Sequence, residues 1–177
     1  IYFYSKGSIM NISRLLSVAP MMERTDRHCR YFFRLLSQQT LLYSEMINAN
    51  AITKGNKTRL LNFSEIEHPL ALQIGGSDPK LLAEATKIGV DWGYDEINLN
   101  VGCPSSRVSS GDFGAVLMKR KDHVAKCVDA MAQFSSNVPI SVKCRIAVDD
   151  QDPEEILPSF IKTVSNSGVS IFIIHAR

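Results

Sequence analysis

Two patterns alternate along the chain. Short, nearly unbroken apolar runs predict buried strands at Leu15–Met21, Leu41–Ile47, Pro69–Gly75, Glu96–Val101, Pro139–Ile146 and Ser170–Ala176. Between them, apolar residues recur at helical spacing and predict helices at Thr25–Ser37, Ala49–Leu61, Lys80–Val90, Gly114–Phe134 and Glu154–Ser167. Asp78-Pro79 and Asp152-Pro153 are good helix openings, because proline suits the first helical position. Pro158 is awkward inside the last helix. A long loop, Gly102–Phe113, comes after the fourth strand.

Strands with apolar residues on both faces imply a parallel sheet covered by helices. A strand–helix repeat of roughly 25–35 residues suits a (β/α)8 barrel of about 250 residues. A doubly wound open sheet is the alternative. Polar residues at the strand ends favour the barrel: Glu45, Gln73, Asn98 and Asn100, Lys143 and Arg145, His175 and Arg177. In a barrel the C-terminal ends of all strands meet on one face, so these residues would share a cavity. An open sheet would spread them along a line. The expected fold is therefore an α/β TIM barrel, incomplete here, with six of eight strands and the chain ending after the sixth. Residues 1–14 read as an N-terminal extension and 15–177 as the partial catalytic barrel.

Composition leaves this picture intact. Apolar residues make up 45% and charged residues 21%, as in a soluble globular protein. Lys and Arg total 20 against 18 Asp and Glu, a net charge of +2 that neither demands nor excludes RNA. Cys29, Cys103, Cys127 and Cys144 form no CxxC pair, and no histidine cluster has zinc spacing, so free thiols and no metal are expected. No apolar run reaches the roughly 18 residues of a membrane span.

The sharpest chemistry lies in Asn98-Leu99-Asn100-Val101-Gly102-Cys103-Pro104-Ser105. Gly102 permits an unusual backbone angle after the strand, and Pro104 stiffens the loop beyond the thiol. A thiol of ordinary pKa near 8.5 is mostly protonated at neutral pH and can act as a general acid. Cys103 could instead be a small buried apolar residue, the reading accepted for the other three cysteines. Its loop position favours chemistry. The Asn100 amide can donate to and accept from a planar ring such as a pyrimidine. Lys143 and Arg145 are two apart on a strand and face the same way. They could flank an electron-rich flavin edge, Lys143 could form a Schiff base as in an aldolase-type barrel, or both could be surface cations. Gln73 interrupts an apolar strand and needs a polar partner. His175 ends a strand and reads as structural or functional. Pro20-Met21-Met22 could lie against a flat cofactor or simply end a core strand.

Taken together, colinear strings over residues 15–177 resemble the tRNA-dihydrouridine synthases of the bacterial A-type branch. They include Ala19-Pro20-Met21-Met22, Thr25-Asp26-Arg27-His28-Cys29-Arg30, His68-Pro69-Leu70-Ala71-Leu72-Gln73-Ile74-Gly75-Gly76, the Asn98–Ser105 stretch, Arg107-Val108, Lys143-Cys144-Arg145-Ile146 and Ile174-His175-Ala176-Arg177. Glu23-Arg24 and Ala147 depart from the family's usual residues. The resemblance implies an FMN-binding barrel, followed by a helical tRNA-binding domain that is absent here. It implies reduction of uridine to 5,6-dihydrouridine in the tRNA D-loop, at sites 20 and 20a, with NADPH as reductant. Hydride would pass from reduced FMN to uracil C6 and a proton from Cys103 to C5. By matching position, Pro20, Met21, Met22, Gln73, Lys143 and His175 would contact the flavin. Asn100, Gly102, Arg145 and Arg177 would contact the uracil or RNA. A cytoplasmic or organellar setting without a membrane is expected. Another FMN barrel, such as a dihydroorotate dehydrogenase, and an inactive RNA-binding fragment are the alternatives.

Overall fold

The computed structural model describes residues 12–105 and 111–176. Six strands, β1 (Ser17–Val18), β2 (Leu41–Asn48), β3 (Leu70–Gly75), β4 (Glu96–Val101), β5 (Ile140–Arg145) and β6 (Ile171–His175), form one sheet. Their spatial order is the chain order, and every neighbouring pair is parallel. That order decides between the two expected architectures. A doubly wound sheet reverses at a switch point. Here each crossover steps the same way, and right-handed crossovers then put all connecting helices on one face. The result is a curled half-barrel, the incomplete α/β TIM barrel expected from the sequence.

The helices are α1 (Arg27–Leu36), α2 (Ala49–Lys54), α3 (Lys57–Leu61), α4 (Pro79–Trp92), α5 (Lys121–Ala132) and α6 (Pro153–Ser165). Asp26, Asp78 and Asp152 cap α1, α4 and α6 by accepting from first-turn amides, and Pro79 and Pro153 occupy the opening positions. Gly93 ends α4 in the left-handed region, at φ 100°.

Three expected elements differ. The first strand is only Ser17–Val18, because the chain turns at Met21: the Thr25 amide donates to the Met21 carbonyl (2.9 Å) and Glu23 takes φ 58°. The expected helix Ala49–Leu61 is two short helices, since Gly55 ends one and the Asn56 side chain caps the next. The expected helix Gly114–Phe134 begins as a 3-10 segment, Gly114–Lys119, and breaks at Arg120, whose φ is −132°.

The main core lies between sheet and helices, with Leu72, Ile97, Leu99, Val142 and Phe172 from the strands meeting Leu82, Val124, Val128 and Phe160 from the helices. Gly89 lets α4 sit close to the sheet: a Cβ there would lie 2.6 Å from Leu72 Cδ2 and 2.8 Å from Ile97 Cδ1. Inside the barrel Leu41, Tyr43 and Ala71 form a small apolar cluster against which Ile12 packs, and β6 adds Ile171 and Ile173, which alternate with the core residues Phe172 and Ile174. Between them the inner positions of β3 to β5 are largely polar: Gln73, Asn98, Asn100, Ser141 and Lys143. This division of apolar outer face and polar inner face is what positions the candidate site.

Candidate active site

β4 alternates two kinds of residue. Ile97, Leu99 and Val101 enter the main core, while Glu96, Asn98 and Asn100 alternate with them on the other face. β5 repeats the pattern with Ser141, Lys143 and Arg145 alternating with Val142 and Cys144. Strand register sets Asn100 level with Lys143, and Arg145 level with His175. Residues distant in sequence are thus brought to adjacent strand ends.

Asn100 organises the loop after β4. Its Oδ1 accepts from the backbone amides of Gly102 (3.1 Å) and Cys103 (3.0 Å). Its Nδ2 donates to Gln73 Oε1 at 2.9 Å. Both lone pairs of Oδ1 are therefore engaged, and one Nδ2 hydrogen remains. Asn100 can offer a further partner a donor but no acceptor, which narrows the two-way recognition expected from the sequence. The Cys103 carbonyl accepts from the Ala115 amide (2.9 Å), so the loop is tied at both ends. The Cys103 thiol is partly exposed and lies 3.7 Å from Ser105 Oγ. Gly102 has no φ in the left-handed region, so the unusual backbone angle it permits is not of that kind. Its room is limited instead by β5, since a Cβ would lie 3.4 Å from the Cys144 carbonyl carbon.

The cations stand beside this loop. Arg145 Nε donates to the Gly102 carbonyl at 2.9 Å, which leaves its two terminal nitrogens for another partner. Lys143 is half-buried and makes no hydrogen bond or ion pair among the described residues. Burial lowers its pKa, and Arg145 nearby adds to the effect. A cation held in this way, without a carboxylate, suits an anionic or electron-rich ligand. Next to the loop is a cavity of about 450 Å3, lined by Pro104, Val116, Lys119, Arg145 and Val148.

Below Asn100 the barrel interior is filled with polar groups. Gln73 is 1% exposed and its Nε2 donates to Asn98 Oδ1 at 2.7 Å. Asn98 Nδ2 donates to Ser141 Oγ at 2.7 Å. The Ser141 hydroxyl and the Tyr43 hydroxyl both donate to Glu96 Oε1, and Arg14 pairs with Glu96 Oε2. Burial raises the Glu96 pKa, while Arg14, Ser141 and Tyr43 pull it down. Glu96, Tyr43, Ser141 and Arg14 were not among the residues expected at the site. The alternation of Glu96, Asn98 and Asn100 with apolar residues carried the signal.

Direct bonds join Gln73, Asn100, Gly102, Cys103 and Arg145, and register brings Lys143 and His175 level with them. Pro20, Met21 and Met22 come after β1 at the same end of the sheet, with Met21 54% and Met22 45% exposed. The Met21 amide donates to Thr25 Oγ1, and Glu23 is bonded to Glu45 at a bulge in β2. Arg177, with Arg107-Val108, lies outside the described residues. Burial pushes the Cys127 and Cys144 thiols up to about 12 and raises Cys29 as well. Among the described residues no group of His, Cys, Asp and Glu could hold a metal ion, and no helix is long and apolar enough to cross a membrane.

Residues 17–177 match the family described as dihydrouridine synthase. A tRNA-dihydrouridine(20/20a) synthase of Synechocystis is 60% identical over 162 residues, which cover 92% of this chain and 48% of that protein. The protein of the same name in Escherichia coli is 59% identical, over 91% of this chain and 46% of its own length. That of Xanthomonas campestris is 54% identical, over 92% and 48%. The chain spans about half the length of these curated relatives. Matched across nearly its whole length, the chain belongs to the dihydrouridine synthase family.

Proposed function

We propose that the whole protein reduces uridine to 5,6-dihydrouridine in tRNA, in the D-loop at sites 20 and 20a, with FMN as hydride carrier and NADPH as reductant. The observation that carries this reading is a thiol loop pinned by Asn100 beside two cations that no carboxylate among the described residues neutralises. When bound, FMN supplies the hydride that reaches uracil C6. Lys143 would hold the electron-rich edge of the isoalloxazine, and a half-buried ammonium without an ion-pair partner among the described residues fits that task. Exposed Met21 and Met22, with partly buried Pro20, would give the flat ring an apolar surface, and His175, level with Arg145, would be a further contact. Gln73 contributes from beneath through its remaining amide hydrogen.

The chain's own groups then handle the uracil. Asn100 donates its free Nδ2 hydrogen to a ring carbonyl, and the Arg145 terminal nitrogens donate to a second acceptor. Both hold the ring in one plane, the orientation term of the rate. Cys103 delivers a proton to C5. Gly102, and by its matching position Arg177, would contact the RNA. The target base must leave its stack to reach these residues. Lys121 and Lys126, beside the ion-paired Lys119 and Arg120, line a neighbouring cavity of about 520 Å3 and would supply charge for the RNA phosphates that offset this cost.

The rest of the barrel has a place to dock. Leu15, Leu16, Tyr31, Phe32, Leu35 and Leu36 are exposed along β1 and α1, the edge that two further strand–helix units would cover. In our reading residues 15–177 are the first part of the catalytic barrel, with a helical tRNA-binding domain beyond it.

The test uses the full-length protein, unmodified tRNA and NADPH, with dihydrouridine measured by mass spectrometry of nucleosides. Dihydrouridine at the D-loop positions is expected. Turnover of dihydroorotate with no change in the tRNA would overturn the assignment.

A further inference from the structure

The polar groups inside the barrel form a hydrogen-bond chain with a single direction. The Cys103 amide donates to Asn100 Oδ1, Asn100 Nδ2 to Gln73 Oε1, and Gln73 Nε2 to Asn98 Oδ1. Asn98 Nδ2 then donates to Ser141 Oγ, and the Ser141 hydroxyl to Glu96. Asn98, Ser141 and Glu96 are 0% exposed, and Gln73 and Asn100 are 1% and 7% exposed.

A side-chain amide can be turned end for end, so its own shape does not fix which end faces the loop. The fixed point is the carboxylate. Glu96 is paired with Arg14 and only accepts. Ser141 must spend its one proton on Glu96, so its oxygen accepts from Asn98. That sets Asn98 with Oδ1 toward Gln73. Gln73 is set in turn with Oε1 toward Asn100, and Asn100 with Oδ1 toward the loop amides. Reversal of any member would place donor against donor in a buried space, at a cost of about 1–3 kcal/mol.

We propose that Glu96, Ser141 and Asn98 are positioning residues that act through Gln73 and Asn100 to hold the Cys103 loop in one conformation and so aim its thiol. The functional half of this proposal rests on Cys103 being the reacting thiol. The structural half does not.

Two readouts separate them in the full-length protein. One is the rate of Cys103 alkylation by iodoacetamide, followed by mass spectrometry. The other is single-turnover transfer from reduced flavin to tRNA uridine. Ser141→Ala removes the relay hydroxyl, and Ser141→Thr keeps it. For Ser141→Ala we expect a changed alkylation rate and a transfer rate lowered about ten- to a hundredfold. Ser141→Thr should restore both altered rates. Glu96→Gln serves as the second variant if Ser141→Ala fails to fold. Its amide turns its oxygen to Arg14, presents N–H to Ser141 and reverses the chain, with the same expected losses. Altered alkylation with normal transfer would support the positioning role and overturn the acid role of Cys103. Unchanged alkylation and transfer, or a Ser141→Thr variant as impaired as Ser141→Ala, would overturn the positioning proposal.

Discussion

Replacing Arg30 by alanine is expected to destabilise the fold by about 3–5 kcal/mol, because it leaves a buried carboxylate unpaired. Arg30 Nε lies 2.6 Å from Glu67 Oε2, and the two side chains are only 6% and 2% exposed. Glu67 uses its other oxygen to accept from the Ser64 amide (2.8 Å), which closes the capping box of a 3-10 turn. Arg34 donates to the Glu67 and Pro69 carbonyls at the entry to β3. Arg30 also donates from Nη1 to the Thr25 carbonyl at 2.9 Å. The pair therefore ties α1, the start of β3 and the Met21–Thr25 turn together. Arg30→Leu with Glu67→Leu should recover most of the loss, since no uncompensated charge remains. Denaturant unfolding of the full-length protein measures both, and a loss under about 1 kcal/mol for Arg30→Ala would contradict this reading of the pair.

Cys103→Ala is expected to lower dihydrouridine formation by about 10²–10⁴-fold, the usual contribution of a positioned general acid. The fold should survive, because the thiol is only partly buried and its hydrogen-bond contact among the described residues is the long one to Ser105. The loop is held instead by backbone groups, the Cys103 amide to Asn100 and the Cys103 carbonyl from Ala115, and alanine keeps both. Flavin content and NADPH oxidation should therefore remain. Cys144 cannot substitute: it is 0% exposed, and burial pushes its thiol up to about 12. Cys103→Ser should fall between wild type and alanine, since a hydroxyl donates in the same direction but is a far weaker acid. Normal product yield from Cys103→Ala would remove the thiol from the reaction.

The parts of the fold legible in the sequence were those set by one strong local signal. Continuous apolar runs marked β2 through β6, and proline with a preceding Asp marked the starts of α4 and α6. β1 was over-extended because Leu15 and Leu16 look like core residues, yet they are exposed at an open sheet edge. The breaks at Gly55-Asn56 and at Arg120 were missed because helical spacing continues across them, and the interruption is a backbone matter. The convergence of Gln73, Asn100, Cys103, Lys143 and Arg145 came from the barrel topology. The pairing beneath them did not. Arg14 lies 82 residues from Glu96, and nothing local in either predicts that they meet. The direction of the interior chain depends on three strands at once and becomes visible only when β3, β4 and β5 are in register.

The central claim is that these strand ends gather around a flavin, and flavin binding to the full-length protein tests it most directly. The purified protein should carry the visible absorbance of an oxidised isoalloxazine. Lys143→Met, which keeps the apolar stem and deletes the charge, should weaken flavin affinity by about ten- to a hundredfold, the scale of one charge-assisted hydrogen bond. Because burial lowers the Lys143 pKa, the wild-type advantage over the variant should fade on raising the pH, and at a lower pH than for an ordinary lysine. A full-length protein that binds no flavin, or a Lys143→Met variant that binds it as tightly as wild type, would contradict the account.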